Sequence, residues 1–410
     1  MNHNKIGQYL GINRGVLALS IARMADALGN SILFIVIPLY VAKLPHPFFD
    51  LPVPVLVGIL ISIYGLINSL LQPLTGALGD RFGHRKRLIQ LGLGVVGMGT
   101  LCYIFAGRFL DLLVLRTVQG IGLALTVPAS MALMSTLSKR ETRGSSMGVY
   151  STLRMIGFAA GPITGGFLQV HFGFNAAFYA GAGFVFLAVL LVQLWIKDIP
   201  IESRRSGDPP FRIIDRSLLT PGILSAAMAT FLTAVAFSMV TTLENEFNAR
   251  LNMNALGFGI AISGLMIGRL LTQVPLGRLS DSIGRRPLVI GGLILMAPST
   301  ILLGEATSML QLSLLRISQG LASAAIVAPA LAVVADLSTA GSAGRQMSVV
   351  TMGFGLGIAL GPLIAGVLVV AFFELPFLVA GGMSLIGAWV AFRRMPETAK
   401  LKTVSTDSRQ

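Results

Sequence analysis

Charge is scarce in this chain. Only 12% of its 410 residues are Asp, Glu, Lys or Arg, against 54% hydrophobic. A soluble domain carries about a quarter charged residues, so an ordinary water-facing surface is excluded. Cysteine is scarcer still. Cys102 stands alone, so neither a disulfide framework nor a cysteine metal site can form within one chain. The histidines His3, His46, His84 and His171 fall in expected loops, tails or helix ends, and no metal site is expected from them. No Gly-x-x-x-x-Gly-Lys-Ser/Thr phosphate loop occurs. With no nucleophile, metal cluster or phosphate loop in view, an enzyme is not expected, and no cofactor is implied.

Long apolar runs fill the space that charge leaves, and the mean hydropathy is +0.79. Twelve runs are long enough to cross a bilayer core of about 30 Å as helix. They cover residues 15–42, 54–78, 88–107, 111–135, 146–169, 175–196, 219–243, 255–276, 288–304, 309–334, 346–371 and 376–392. The expected fold is therefore all-α and integral to a membrane. The 47 glycines would weaken soluble helices, whereas in a bilayer they let helices approach closely. The first run is too long for a signal-peptide core and lacks a small-residue cleavage site, so it is expected to stay as the first spanning helix.

Basic residues outnumber acidic ones by 31 to 17, for a net charge of +14. Their distribution argues against nucleic acid. With the N-terminus in the cytoplasm, only Lys43, Arg108 and Arg250 fall outside, while the other loop and tail cations fall inside. That bias places both termini in the cytoplasm and ties the charge to topology and anionic lipid.

The organisation is duplicated. Gly76-Ala-Leu-Gly-Asp80-Arg81-Phe-Gly83-His-Arg85-Lys86-Arg87 ends the second run, and Gly277-Arg-Leu-Ser-Asp281-Ser-Ile-Gly284-Arg285-Arg286-Pro287 ends the eighth. Leu115-Arg116-x-x-Gln119-Gly120 matches Leu315-Arg316-x-x-Gln319-Gly320, and Gly161-Pro162 matches Gly361-Pro362. Gln72 matches Gln273, and Phe178 matches Phe377. Two copies of one membrane unit, with a site between related halves, is a transporter plan. The polar stretch from Lys197 to Ser217 divides them. The expected domains are a first six-helix bundle (1–196), a cytoplasmic linker (197–217), a second bundle (218–395) and a cytoplasmic tail (396–410).

On these motifs the chain resembles the major facilitator superfamily over essentially its whole length. Arg116-x-x-Gln119-Gly120-x-Gly122-x-Ala124 is similar to that superfamily's helix 4 motif. Gly157-x-x-x-Gly161-Pro162-x-x-Gly165-Gly166 resembles the helix 5 motif of exporters that work as antiporters. Pro396-Glu397-Thr398 is similar to the ending after helix 12, and Asp26-Ala-Leu-Gly29 to helix 1 of tetracycline-type exporters. The resemblance implies twelve helices in two pseudo-symmetric six-helix bundles, and points to the drug:proton antiporters. Asp80, at the cytoplasmic end of helix 2, can meet Arg81, Arg85 or the positive N-terminal end of a helix in the other half, with a solvated charged loop as the alternative. The resemblance implies that this helix is the eleventh, beginning near Arg345, and that Asp281, beside Arg285, faces helix 5 near Gly144. Those residues read as a cytoplasmic gate.

Asp26 is the one acidic residue expected deep within a helix, about 12 residues in and roughly 18 Å from the surface. A carboxyl group there suits a proton carrier, because intramembrane carboxylates are rare and line pathways. The alternative is that it only neutralises Arg23, one turn away. Arg23, Arg116, Arg154, Arg269 and Arg316 are expected within helices. Arg23 and Arg116 are candidates for proton coupling, the latter by resemblance, with a structural hydrogen-bonding role as the alternative for Arg116. Arg154, Arg269 and Arg316, with Asn30, Tyr64 and Asn68, are candidates for lining a substrate cavity, although each polar residue also suits interhelical bonding. Five cations against one carboxylate favour an anionic or zwitterionic substrate. Glu244 and Glu246, at the outer end of helix 7, are read as solvated charges, with an extracellular gate as the alternative. The glycines Gly157, Gly161, Gly165 and Gly166 with Pro162 make a flat, kinked helix face, suited to sealing the halves or to plain tight packing.

The expectation is a monomeric exporter of a small organic compound in exchange for protons, in a bacterial inner membrane. Its expected partners are the substrate, protons and the lipid bilayer, with no nucleic acid. The alternatives are a proton symporter or facilitator of an organic anion, a lipid or lysolipid flippase, and a transporter-like sensor.

Overall fold

The computed structural model describes residues 13–45, 50–82, 84–138, 142–196, 220–338 and 343–399, apart from the side chains of 77, 80–82, 143–144 and 343–345. The linker at 197–217 and residues 400–410 lie outside the described residues, as do the side chains of Asp80, Arg81, Arg143 and Arg345. Every regular element among the described residues is helical.

The helices are α1 (Arg14–Val41), α2 (Val53–Phe82), α3 (Arg85–Cys102), α4 (Phe109–Leu137) and a 53-residue segment, Arg143–Trp195. That segment is two helices, because Gly173 at φ 82° and ψ −177° leaves the helical region. Only glycine takes that conformation without strain, so α5 (143–172) ends there and α6 (174–195) begins. The second half repeats the pattern with α7 (Pro221–Leu251), α8 (Ala255–Ile283), α9 (Arg285–Gly304), α10 (Met309–Leu337), α11 (Ala343–Leu368) and α12 (Leu375–Arg394). Eleven described segments are long and apolar enough to span a membrane, and the bend at Gly173 makes them twelve helices.

Local chemistry sets the helix ends. The Asn13 side chain accepts from Val16 N at 2.8 Å and donates to Leu137 O at 2.7 Å, capping α1 and tying it to the end of α4. Asp111 accepts from the backbone of Gly107 and Arg108 at 3.0 and 2.9 Å at the start of α4. Gln311 accepts from Thr307 N at 3.0 Å in the matching place before α10.

Two compact units emerge from the packing. The first holds Leu66–Phe211 with α1, and takes in Asn254–Gly259. The second holds Arg212–Met253 and Ile260 onward, and takes in Leu51–Gly65. Each is built on its own apolar core. Val16, Leu19, Leu93, Val96, Leu133 and Val185 centre the first, and Ile223, Leu293, Met296, Ile326, Val333 and Val350 the second. Large apolar side chains such as Leu70, Phe105, Leu194, Leu271 and Ile386 face outward. In water such faces would be a liability; against acyl chains they are the solvated surface.

The glycine stripes explain the closest helix pairs. A methyl group on Gly157 would strike Met24 O, one on Gly161 would strike Ser31, and one on Gly165 would strike Ile32 O, so α5 packs backbone-to-backbone on α1. Gly357 and Gly361 repeat the arrangement on α7, against Phe231 O and Ser238. Gly166 approaches Ala255 O, and Gly366 approaches Pro54 O. The helix 5 motif is thus used for packing within the first unit, Gly157, Gly161 and Gly165 against α1 and Gly166 against the start of α8.

Candidate functional site

Asp26 sits on α1 and is 2% exposed. Arg23, three residues earlier on the same face, donates through Nη1 to Asp26 Oδ2. Asn30, one turn later, donates to Asp26 Oδ1 at 2.6 Å and to the Asp26 carbonyl at 3.1 Å. Arg154 on α5 interacts electrostatically with the same carboxylate. Residues 23, 26 and 30 share one helical stripe, so their convergence follows from 3.6-residue periodicity. That α5 delivers Arg154 to the stripe follows from the glycines that hold α5 against α1. Beside Asp26 lies a small cavity walled by Leu19, Ile89, Leu93, Thr126, Ser130 and Val192. Arg154 also stands 5.2 Å over the Phe158 ring, which stacks on Phe34 at 6.1 Å.

The two Arg-x-x-Gln motifs fold into equivalent networks. Gln119 Nε2 donates to Thr100 Oγ1 at 2.9 Å, and Gln319 Nε2 donates to Thr300 Oγ1 at the same distance. Arg116 and Arg316 donate to the side-chain oxygens of Gln119 and Gln319, at 3.4 and 2.7 Å. Tyr103 adds a 2.5 Å bond to Gln119 Oε1 in the first half, whereas Arg316 donates to Phe237 O at 3.2 Å in the second. Both arginines are buried inside their own units. The motifs single out the arginines but not Thr100, Thr300 or Tyr103. The threonines recur at the same spacing as the glutamines, and that repeat is the signal in the sequence that points to them.

The remaining candidates are spread along several helices. Arg269 lies on α8, 5.8 Å over the Phe354 ring. Asn68 accepts from Gln72 at 3.1 Å along α2, a bond within one helix. Tyr64 is partly buried, and falls in the second unit whereas Asn68 falls in the first. Arg85 opens α3 and donates to Ala132 O at 3.0 Å and Thr136 Oγ1 at 3.1 Å at the end of α4. Arg285 opens α9 and pairs with Asp336 at the end of α10 at 2.5 Å and with Asp281 at 2.7 Å. Asp281 is 68% exposed.

One expectation is overturned outright. Glu244, read as a solvated charge, is fully buried, with Asn248 and Glu246 as its polar neighbours. The chain tightens to a 3-10 helix over Met239–Leu243 before resuming as α-helix at Glu244. Each 3-10 residue turns about 20° more than an α-helical one, so five of them rotate the next helical turn by about 100°. The apolar run predicts a helix that ends at residue 243, whereas the helix continues to Leu251, so Glu244 lies within it and not at a solvated end.

Pro396-Glu397-Thr398, expected only as an ending, makes specific contacts. Glu397 accepts from the backbone of Arg285 at 3.0 Å and Arg286 at 3.2 Å, capping the exposed amides of α9. Thr398 donates to Asp336 Oδ2 at 2.9 Å. Burial alone would raise the Glu397 carboxyl, but backbone donation from Ala399, Arg285, Arg286 and Thr398 outweighs it and holds the group below its ordinary value. Gly284 reaches φ 110° beneath this contact, where a side chain would meet both backbone strain and the Glu397 carboxylate.

Twelve apolar helices in two repeated sets, with buried charge inside each, define a multi-pass integral membrane protein. The family model described as Major Facilitator Superfamily matches residues 19–253 and 219–410. The chain belongs to that superfamily of transporters. It is 28% identical over 347 residues to the multidrug resistance protein MdtG of Salmonella paratyphi A, covering 82% of this chain and 85% of that one. Among solved structures it is similar to a bacterial homologue of the human lysosomal transporter Spinster, inward-facing and occupied. That match has a TM-score of 0.77 at 16% identity, over 92% of this chain and 96% of the other. The human organic anion transporter MFSD10 matches with a TM-score of 0.68 at 22% identity, over 92% and 99%. These two likenesses establish the fold.

Proposed function

We propose that this protein exports a small organic compound across a bacterial inner membrane in exchange for protons, with both termini in the cytoplasm. The observation that carries the reading is the buried Asp26 with Arg23 and Asn30 bonded to its two carboxylate oxygens. Relatedness to a multidrug resistance protein supports export of drug-like compounds.

In this mechanism Asp26 exchanges a proton as the transporter alternates between its two openings. Protonation removes the negative charge that holds Arg23 and Arg154. It also turns one carboxylate oxygen into a donor, so the Asn30 and Arg23 bonds must rearrange. Deprotonation restores the ion pair. The carboxylate is thus a two-state element whose charge biases the helices around it, and substrate gradients acting on the same states couple to it. The basic loops after α2 and α8 form the cytoplasmic gate in this scheme, Asp80, Arg81 and Arg85 in one half and Asp281 and Arg285 in the other.

The test is proton movement by the purified protein in liposomes when candidate substrates are added. Substrate-dependent proton flux in the unaltered protein, lost in Asp26→Asn while substrate binding persists, supports antiport through Asp26. Undiminished flux in Asp26→Asn leaves Asp26 as the partner of Arg23 only. A second reading, uptake or facilitated passage of an organic anion, is favoured by Arg269, which has no carboxylate partner among the described residues. Vesicles preloaded on one side with substrate separate the two directions.

A further inference from the structure

The two halves treat their buried cations differently. In the first unit Arg23 and Arg154 share the Asp26 carboxylate. In the second unit Arg269 and Arg316 have no carboxylate within ion-pair distance among the described residues. Arg316 donates through Nη1 to Gln319 and the Phe237 carbonyl, although its Nε is left without a partner. Arg269, partly buried, makes no side-chain hydrogen bond among the described residues. Its Nε is likewise buried without a partner, and its guanidinium lies 5.8 Å over the Phe354 ring. The repeat sharpens the contrast. Arg269 and Gln273 stand where the first half has Asn68 and Gln72, which bond to each other at 3.1 Å. In the second half the Gln273 side-chain oxygen is also buried without a partner. Phe354 stands where the first half has Arg154, and it packs against Phe237 at 5.9 Å.

A buried guanidinium with unused donors is costly unless an anion completes it. Its planar fork suits a carboxylate or another flat or tetrahedral oxyanion. The partly buried Phe237 and Phe354 rings offer an apolar wall beside it. We infer that Arg269, with Phe354 and Phe237, is a subsite of the second unit for an organic anion that carries an aromatic ring next to its acidic group. Gln273 supplies an acceptor, one helical turn away, for a hydroxyl or amide donor on the same ligand. The inference rests on the transport reading and narrows its substrate class.

The experiment is equilibrium binding of 1-naphthoate to the full-length protein in lipid nanodiscs, compared with the neutral isostere 1-naphthamide and the cation 1-naphthylmethylammonium. Naphthoate is expected to bind about tenfold tighter than naphthamide, as one charge-assisted pair would give. Arg269→Gln is expected to abolish that preference, Arg269→Lys to keep part of it, and Phe354→Ala to weaken both neutral and anionic ligands. Equal binding of naphthoate and naphthamide to the unaltered protein overturns the subsite. So does a preference that survives in Arg269→Gln, or preferential binding of the cation. Should Arg269→Gln not fold, the three-ligand comparison on the unaltered protein still decides. If naphthoate binds through Arg269 but no ligand moves protons, antiport fails and the subsite stands. Proton-coupled export of cations without naphthoate binding leaves antiport standing and removes the subsite.

Discussion

Gln319 on α10 donates to Thr300 on α9 across 2.9 Å, while its own carbonyl oxygen receives Arg316 at 2.7 Å. One amide thus fastens two helices and satisfies a buried cation, and Gln119 does the same in the first half. In an apolar surrounding, a bond withdrawn from such a network leaves a polar group with no water to turn to. Gln319→Ala is therefore expected to destabilise the protein by about 1–3 kcal/mol, read as a fall in melting temperature in detergent. Thr300→Val, which removes only the acceptor on α9, is expected to cost less. A Gln319→Ala protein that melts with the unaltered one would remove the network from the account of stability.

The Arg23–Asp26 pair makes a thermodynamic claim independent of transport. Breaking a buried ion pair from one side costs about 3–5 kcal/mol, because the other charge stays behind. Asp26→Asn alone is expected to show a loss of that order, and the Arg23→Gln/Asp26→Asn double variant to regain a good part of it. Strictly additive losses in a double-mutant cycle would mean that the two side chains do not act on one another.

Close helix approach is equally open to test. Gly157 faces Met24 O on α1, whereas a methyl group on Gly148 in the same helix meets nothing within 4 Å. Gly157→Ala is expected to destabilise by about 1–3 kcal/mol, since a backbone must move to admit the methyl. Gly148→Ala is expected to be neutral or to stabilise by up to about 1 kcal/mol through helix propensity. Equal effects in a thermal-shift comparison would deny that the stripe on α5 is a packing surface.

The Glu397 contact predicts a pH dependence with a definite sign. Its carboxyl titrates below its ordinary value of 4.5 when docked on α9. A group depressed in the folded state stabilises above its unfolded pKa, and that contribution is lost as pH falls through the folded value. The difference in melting temperature between the unaltered protein and Glu397→Gln should thus be full at about pH 6–7, and should shrink as the pH falls below 4.5. A difference that stays constant down to about pH 3, or grows on acidification, contradicts the docked carboxylate.

Much of this architecture was legible from composition and repetition. The twelve apolar runs predicted most helix ends to within a few residues, the starts of α8 and α10 among them, because a bilayer leaves helix as the way to satisfy backbone polar groups in a long apolar run. They stopped short at the ends of α7 and α8, which run on to Leu251 and Ile283. The Asp26 stripe was legible too, since positions 23, 26 and 30 share a face by periodicity alone. The partner on another helix was not. Nothing local says that α5 brings Arg154 to Asp26, that Glu397 caps α9, or that Asp336 waits for Arg285.

What the sequence by itself determined is therefore the number of the helices, most of their bounds, the twofold repetition, and the placement of most charges along the chain. These depend on hydropathy and period, which are local quantities. Tertiary structure alone decided which cations are neutralised and which are left open. Arg154 finds Asp26 because glycines pull α5 onto α1, while Arg269, in the second unit, has no carboxylate within ion-pair distance among the described residues and lies over the Phe354 ring. Glu244 is buried because the helix runs on past the end of the apolar run, through a 3-10 stretch, to Leu251. Electrostatic pairing depends on distances between helices, and those are set by packing across the whole unit.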